Sequence, residues 1–398
     1  SWMGGMCMED SVDCMSYDSE MGCDMADGCS WMGGMCMEDS GGMMMGNHTP
    51  HFIVIDEVNK FWFTTTISSG YVIRFNLEDN EMIDYLYVGD SPALMTLNKF
   101  DMKLYCSRMM PMGNMMPGAT STYVQEIDYS GQMMMSVREF EIPSPAPHGI
   151  SINYSGDEVY VASNTADWIY KMVIETGEIF GAVMDISIDN PQNLATQRLK
   201  PIQCLSVGNS LLFVTCSGGK WTDPWTGDIE EINGRVQMWN TNSMELIDEY
   251  EYDWYSTPWH VIDSPNSKHI YIVLAGDELY EQSSGISKIL YSEEGFINEE
   301  WYSSADVYDT LHGIDVSIDG SEIYVSGRGD GYLHTIESSN GNILNSTPLS
   351  NNLTMVMSGG VATNYNFNVN IGDINFDGNV DISDVVQTIY FVLNNSVI

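Results

Sequence analysis

Residues 147–164 read PHGISINYSGDEVYVASN, and variants of this stretch recur along the chain. The stretch begins with an apolar run, passes through a Ser-Gly-Asp turn and continues with alternating apolar and polar residues. This pattern predicts two antiparallel strands joined by a tight turn. Consecutive copies are 43 to 57 residues apart, and the other five begin near residues 51, 94, 203, 260 and 312. Six copies in register indicate a repeat protein.

Each copy is followed by candidates for a third and a fourth strand. In the first repeat these are residues 71–75 and 82–86, and in the fourth they are residues 236–239 and 245–248. Four short strands per repeat of this length are typical of a β-propeller blade. The sequence therefore predicts an all-β fold, a propeller of six to seven four-stranded blades over residues 47–368. We favour seven blades, because residues 353–370 can begin another one that the N-terminal segment completes.

The repeats resemble those of the YVTN/NHL-type β-propeller families, whose blades carry a PHGI…DG…VYV pattern. Residues 147–164 and 311–327 match this pattern best, and the resemblance extends over the repeat region from residue 47 to about residue 350. It implies the propeller fold. It implies no single activity, because propellers include lactonases, oxidases, scaffolds and binding proteins.

The charge balance restricts the partners. Among 398 residues there are 56 acidic and 14 basic side chains, and the formal charge is −42. Such a field repels nucleic acid and favours divalent cations. No run of about 18 apolar residues predicts a membrane span. Because the chain begins at Ser1 and shows no signal peptide, we expect a processed, exported protein that is secreted or held at the cell surface.

Residues 1–46 are rich in Met, Cys and Asp and show no hydrophobic periodicity. The 11 residues SWMGGMCMEDS occur twice, at residues 1–11 and 30–40. Thiolate and thioether sulfurs are soft ligands that select Cu(I), so this segment predicts copper binding. The candidate ligands are Met3, Met6, Cys7, Met8, Cys14, Met15, Cys23, Met25, Cys29, Met32, Met35, Cys36, Met37, Met43, Met44, Met45 and His48.

Other interpretations of the sulfur-rich residues stay open. In one alternative, disulfides cross-link the segment and the methionines fill gaps in its packing. In another, the exposed methionines react with oxidants and so protect other residues. Its five cysteines are an odd number, so they cannot all pair with one another. The Met-rich stretches at residues 109–116 and 133–135 predict either a second soft-metal site or apolar filler.

Four of the seven histidines open the innermost strands of their repeats: His51, His148, His260 and His312. In a propeller such positions surround the mouth of the central channel, where converging imidazoles can bind copper or zinc. Alternatively, the histidine is part of the turn chemistry of this repeat. The second and fourth repeats lack it, so the ring of histidines is incomplete.

Residues 373–384 read DINFDGNVDISD, which has the spacing of a calcium loop. The candidate ligands are Asp373, Asn375, Asp377, Asn379, Asp381 and Asp384. With Asp at the twelfth position and an amphipathic helix predicted after it, the segment 369–398 resembles half of a type I dockerin. Dockerins pair two such units, so one unit puts cohesin binding in doubt. The alternative is an Asp/Asn-rich turn without metal.

Catalytic motifs are sparse: the chain has no G-x-S-x-G elbow, P-loop or H-E-x-x-H. Cys204 and Cys216 are either a disulfide or buried thiols, and Cys106 is either a soft ligand or a core residue. We therefore favour a non-enzymatic, secreted or cell-surface copper-binding propeller that also binds calcium. It would self-assemble through its terminal segments or bind another cell-surface protein. The alternatives are a copper-dependent oxidoreductase with its metal at the propeller mouth and a disulfide-stapled adhesion or assembly scaffold.

Overall fold

The computed structural model describes residues 29–32, 35–38, 50–109, 122–208, 210–350 and 359–363. The first two of these ranges are described by their backbone alone. The predicted calcium loop and most of the predicted soft ligands lie outside the described residues.

Antiparallel strands make up nearly all of the regular structure. A two-stranded hairpin of β1 (Cys29–Met32) and β2 (Met35–Glu38) comes first. Blades one to three are four-stranded sheets, and their strands are β3 (Pro50–Asp56), β4 (Phe61–Thr66), β5 (Tyr71–Asn76), β6 (Met82–Tyr87), β7 (Pro92–Asn98), β8 (Lys103–Arg108), β9 (Tyr123–Asp128), β10 (Met135–Glu141), β11 (Pro147–Ile152), β12 (Glu158–Ser163), β13 (Trp168–Val173) and β14 (Ile179–Val183).

Blades four to six have the same construction. Their strands are β15 (Pro201–Val207), β16 (Leu211–Cys216), β19 (Arg235–Asn240), β20 (Glu245–Glu251), β21 (Pro258–Asp263), β22 (His269–Leu274), β23 (Gly285–Ser292), β24 (Gly295–Ser304), β25 (Leu311–Val316), β26 (Glu322–Gly327), β27 (Tyr332–Glu337) and β28 (Ile343–Pro348). A hairpin of β17 (Gly219–Thr222) and β18 (Ile229–Ile232) is inserted in blade four, and residues Glu278–Tyr280 form a 3-10 helix in blade five. The prediction of an all-β propeller with four-stranded blades is confirmed, with six blades.

The burial of the strands changes from the axis to the outer edge of each blade. The first strands of neighbouring blades contact one another and surround the axis. Second strands such as β16 are buried along their whole length, because adjacent blades cover both faces. Outermost strands such as β6 and β20 have exposed residues along their length. The cores therefore lie between blades; one of them packs Phe63, Leu104 and Tyr129 of blades one and two together.

A recurring hydrogen bond joins successive blades near the axis. A hydroxyl at the end of a second strand donates to a carbonyl oxygen in the first strand of the next blade. The pairs are Thr65 with Ala93, Ser107 with His148, Thr215 with Trp259 and Ser326 with Gly359, at 2.5 to 2.8 Å. Because Gly359 accepts the same bond as the first strands do, residues 359–363 follow blade six in the place of a next first strand.

Residues 359–363 also connect the end of the repeat region to its beginning. The Gly360 amide donates to the His51 carbonyl oxygen at 2.9 Å, and the Thr363 amide and hydroxyl donate to the Asp315 carboxylate at 2.5 and 2.8 Å. This closing segment therefore lies between blades six and one. The favoured seventh blade is not confirmed, because the other residues that would form it lie outside the described part of the chain.

The three cysteines of the propeller are buried thiols. Cys106, Cys204 and Cys216 are free and buried, so the disulfide considered between Cys204 and Cys216 is absent and both are core thiols. Burial raises the pKa of all three thiols, which keeps them protonated and inert. No helix in the described part of the chain is long and apolar enough to cross a membrane.

Candidate functional site

A bulge at the start of the innermost strands positions the histidines. In blade three, Pro147 pairs with Ser163 and the register then shifts to Gly149 opposite Ala162, so His148 is the unpaired residue. The same shift follows Pro50, Pro258 and Leu311, the residues before His51, Trp259 and His312. A bulge re-aims a side chain that would otherwise follow the pleat of the strand.

The bulges bring the imidazoles of four blades, numbers one, three, five and six, together at the axis. The ring centroids of His51 and His148 are 5.8 Å apart, those of His51 and His312 5.4 Å, and those of His260 and His312 4.7 Å. His260 belongs to this histidine cluster although it lies one residue further along its strand, after Trp259. All three contacts are edge-to-face.

Hydrogen bonds fix the tautomer of one ring and leave atoms of two others free. His148 Nδ1 lies 2.6 Å from the Ile202 carbonyl oxygen, which can only accept, so Nδ1 carries the proton and Nε2 keeps its lone pair. Such a backbone bond on one nitrogen is typical of histidines that ligate metal through the other. His51 Nε2 and His312 Nδ1 are buried and have no hydrogen-bond partner among the described residues.

Burial keeps the cluster uncharged near neutral pH. Burial and, to a smaller extent, the neighbouring His148 together lower the pKa of His260 to about 3. Burial likewise lowers the pKa of His148, and it lowers those of His51 and His312 well below the usual value, with the other imidazoles adding to the effect. A neutral imidazole is the form that binds a metal ion, so protons do not compete at neutral pH.

The spacing of the rings fits shared ligation of one ion. With a metal–nitrogen bond of about 2.0–2.1 Å, two imidazoles at tetrahedral positions have ring centroids about 5 Å apart. The three measured separations, 4.7, 5.4 and 5.8 Å, lie around this value. Among the residues that the structure describes, no three His, Cys, Asp or Glu side chains are already arranged as a metal site. The ring nitrogens would have to reorient on binding.

Most other predicted ligands cannot be placed beside this cluster. The hairpin puts Cys29 opposite Glu38, Cys36 opposite Trp31, Met37 opposite Ser30 and Met32 opposite Met35. The remaining candidates in residues 1–48 and all six calcium ligands in residues 373–384 lie outside the described residues. Of the Met-rich stretch at residues 133–135, Met134 is buried in the core between blades one and two, while Met133 and Met135 are largely exposed.

The described residues that adjoin these segments lie at defined faces of the propeller. Pro50, the first residue of β3, directly precedes His51. Met109 lies at the same face, since its amide donates to the Ser91 carbonyl oxygen at the start of blade two. Thr363 lies at the opposite face, where it is bonded to Asp315 near the end of β25.

Three neighbours of the histidines could not be recognised from the sequence motifs alone. The Trp259 ring packs edge-on against His312 with centroids 4.9 Å apart, and the Phe52 ring packs against His260 at 5.7 Å. The third is Arg328, whose charge helps to lower the pKa values of His51 and His312. A signal existed for the first two, because each adjoins a histidine at the recurring strand start.

Comparison with known proteins supports the fold. No protein-family model and no curated protein matches the chain. Among solved structures, Kuenenia stuttgartiensis hydrazine synthase is similar at 13% identity and a TM-score of 0.57, covering 75% of this chain and 80% of that one. The mitotic checkpoint complex is similar at 13% identity and a TM-score of 0.51, with 74% and 76% covered. The Myceliophteria thermophila Cps50 (Swd1) β-propeller domain is similar at 11% identity and a TM-score of 0.56, with 79% and 90% covered. At these identities the likeness shows the fold alone.

Proposed function

We propose that this chain is a non-enzymatic copper-binding β-propeller of the cell exterior, with one copper ion held at the axis by the histidine cluster. The observation that carries the proposal is the convergence of four imidazoles from different blades, with ring centroids 4.7 to 5.8 Å apart. Structural histidines are normally satisfied by hydrogen bonds, whereas His51 and His312 each have a buried ring nitrogen without a partner among the described residues.

Two features favour copper over other divalent ions. Imidazole suits both copper and zinc, but copper(II) binds most tightly to nitrogen ligands in the first-row series. The sulfur-rich segment of residues 1–46, whose Met and Cys side chains favour Cu(I), joins the propeller beside His51. We therefore propose that this segment is a second copper-binding region on the same face as the cluster.

The C-terminal segment completes the proposal. Residues 373–384 would bind calcium through the oxygen ligands predicted from their spacing, and the half-dockerin-like segment would mediate self-assembly or docking to another surface protein. Support comes from the propeller fold itself, which offers loops on two faces and occurs in multiprotein structures such as the mitotic checkpoint complex. The YVTN/NHL-type resemblance of the repeats is in keeping with this role as a scaffold.

Elemental analysis of the full-length protein tests copper binding. Protein loaded with copper and then desalted should carry an axial copper that His148→Ala/His312→Ala removes, while Cys7→Ser/Cys36→Ser lowers only the remainder. His269→Ala is the matched control, because His269 is a histidine of β22 whose partner is Glu300. Unchanged copper in the double histidine variant, with its fold intact by circular dichroism, would exclude the axial site.

Calcium and self-assembly need a separate measurement. Asp373→Ala/Asp377→Ala should abolish calcium binding and leave the copper content unchanged. Size-exclusion chromatography should show large species that dissociate when calcium is removed with a chelator. A monomer at every calcium concentration would contradict self-assembly without affecting the copper proposal.

A further inference from the structure

Arg328 differs from every other arginine of the chain in its charge environment. The chain has six arginines. Five of them form ion pairs with carboxylates, and these are Arg74, Arg108, Arg138, Arg198 and Arg235. Arg328 makes no ion pair with any described residue, although acidic residues outnumber basic ones four to one in the whole chain (56 to 14). Such an excess of carboxylates makes an unpaired guanidinium unexpected.

The backbone around Arg328 holds it beside the histidine cluster. Gly327 pairs with Leu311, the residue before His312, and the Arg328 amide donates to the Thr310 carbonyl oxygen at 3.0 Å. The positive charge of Arg328 acts on both His51 and His312. Arg328 is half-buried, and its backbone lies at the end of the propeller where the innermost strands begin.

Two carboxylates close to the backbone on either side of Arg328 accept hydrogen bonds from other donors. Asp330 accepts hydrogen bonds from the amides of Asp309 and Tyr332, at 3.0 and 2.8 Å, and lies 3.2 Å from His334 Nε2. Asp309 accepts from the Thr310 hydroxyl at 2.8 Å. These bonds fix both carboxylates in the loops that flank Arg328. Both carboxylates lie close to Gly327 and Gly329, the neighbours of Arg328, yet within the described part of the chain neither forms an ion pair with it.

We propose that Arg328 and the histidine cluster together form a binding site for a small carboxylate anion at the mouth of the propeller. The planar guanidinium can hold both oxygens of a carboxylate in parallel hydrogen bonds, which an ammonium group cannot do. The buried His51 Nε2 and His312 Nδ1, which lack partners among the described residues, can donate to the same ligand in the metal-free protein. With copper at the axis, a carboxylate oxygen would instead face the ion.

Electrostatics favour this site over the rest of the surface. A chain of charge −42 repels anions in general, so an anion can bind only where positive charge is locally unopposed. Arg328 supplies such a charge beside His312, because Gly327 pairs with Leu311 and Arg328 forms no ion pair with any described residue.

Ligand-observed NMR with succinate on the metal-free, full-length protein tests the proposal. Succinate should show saturation transfer from the wild-type protein, and succinamide, its uncharged analogue, should show none. Arg328→Gln should weaken succinate binding about 10- to 100-fold, the usual effect of losing hydrogen bonds to a charged partner. Lys268→Gln removes the same charge at the turn between β21 and β22, at the opposite end of the blade, and should leave binding unchanged.

The outcome separates the anion site from the copper site. No transfer to wild-type protein, or equal binding by Arg328→Gln and wild type, would overturn the anion site whether or not copper binds. Succinate binding that depends on Arg328 would support it even if the axial copper is absent. A thermal melt of Arg328→Gln in the same buffer ensures that lost binding is not lost folding.

Discussion

His148 Nδ1 donates to the carbonyl oxygen of Ile202, 2.6 Å away across the boundary between blades three and four. Ile202 occupies in blade four the bulge position that His148 occupies in blade three, since it follows Pro201 as His148 follows Pro147. The bond therefore links equivalent positions of successive blades. It fixes the proton on Nδ1 and leaves Nε2 as the atom available to a ligand.

Substitution of His148 should separate this structural bond from metal binding. In His148→Asn the side-chain amide can still donate to the Ile202 carbonyl, but the Nε2 lone pair is lost. We expect the free energy of unfolding to fall by no more than about 1 kcal/mol, while copper affinity falls about 10- to 100-fold. Urea denaturation and a competitive copper titration measure the two effects. His148→Ala should lose both, and equal copper affinity in His148→Asn would show that Nε2 is not a ligand.

Truncation of a side chain in the core between blades should lower the stability of the protein as it does in other close-packed interiors. Leu104 is fully buried between blades one and two, so Leu104→Ala should lower the free energy of unfolding by about 2–5 kcal/mol. Leu279 is 89% exposed on the 3-10 helix, and Leu279→Ala should change stability by less than about 0.5 kcal/mol. Chemical denaturation of both variants gives the comparison. A cost below about 1 kcal/mol for Leu104→Ala would contradict the packing described here.

Stability should depend on pH through Asp263. Burial raises the pKa of Asp263 to about 6, although the Tyr291 hydroxyl donates to its carboxylate at 3.0 Å. Because the folded state holds this proton more tightly than the unfolded state, Asp263 stabilises the fold below pH 4, and this contribution is lost as the pH rises from 4 to 6. Relative to Asp263→Asn, wild-type protein should lose about 2 kcal/mol between pH 4 and pH 7.

Asp319 provides a control of opposite sign. Hydrogen bonds from Ser317 and Ser321 lower its pKa to about 2. Its contribution is therefore present above pH 4 and is lost as the pH falls toward 2, so Asp319→Asn should remove stability at pH 7 and little at pH 2. Thermal melts across this pH range distinguish the two carboxyls. The same pH profile for both variants would contradict the assignment for Asp263.

The sequence could predict the blades because strand alternation and turn residues are local signals. The strand pairs and the all-β class follow from patterns such as PHGISI and EVYVAS. The histidines could be nominated as a group because they open the innermost strands. Their position at the channel mouth was predicted from the repeat, but the bulges that aim the side chains have no local signal: His260 reaches the axis from one residue further along its strand than His148 does.

The sequence could not predict which residues far apart in the chain lie next to one another in the fold. The sequence allowed a disulfide between Cys204 and Cys216 on neighbouring strands. In the structure Cys204 lies opposite Val214 and Cys216 lies opposite Pro201. Arg328 belongs to no recognisable sequence motif. Only the fold shows that it lies beside the histidine cluster. The way in which the ring closes could not be predicted either, because residues 359–363 gain their position from hydrogen bonds to both ends of the repeat region.

Residues 359–363 pack so closely against β3 that a methyl group added at Gly359 should disturb the closing segment. A Cβ on Gly359 would lie 2.7 Å from the His51 carbonyl oxygen and 2.9 Å from that of Pro50, and both atoms belong to the backbone of β3. Because backbone cannot move aside as a flexible side chain can, Gly359→Ala should push the closing segment away from blade one. We expect a loss of about 1–3 kcal/mol in the free energy of unfolding and faster proteolysis after residue 350. Gly131→Ala is the matched control, because its Cβ would meet only ordinary contacts at 3.5 and 4.0 Å. Equal stability of the two variants would show that the closing segment does not hold the ring together.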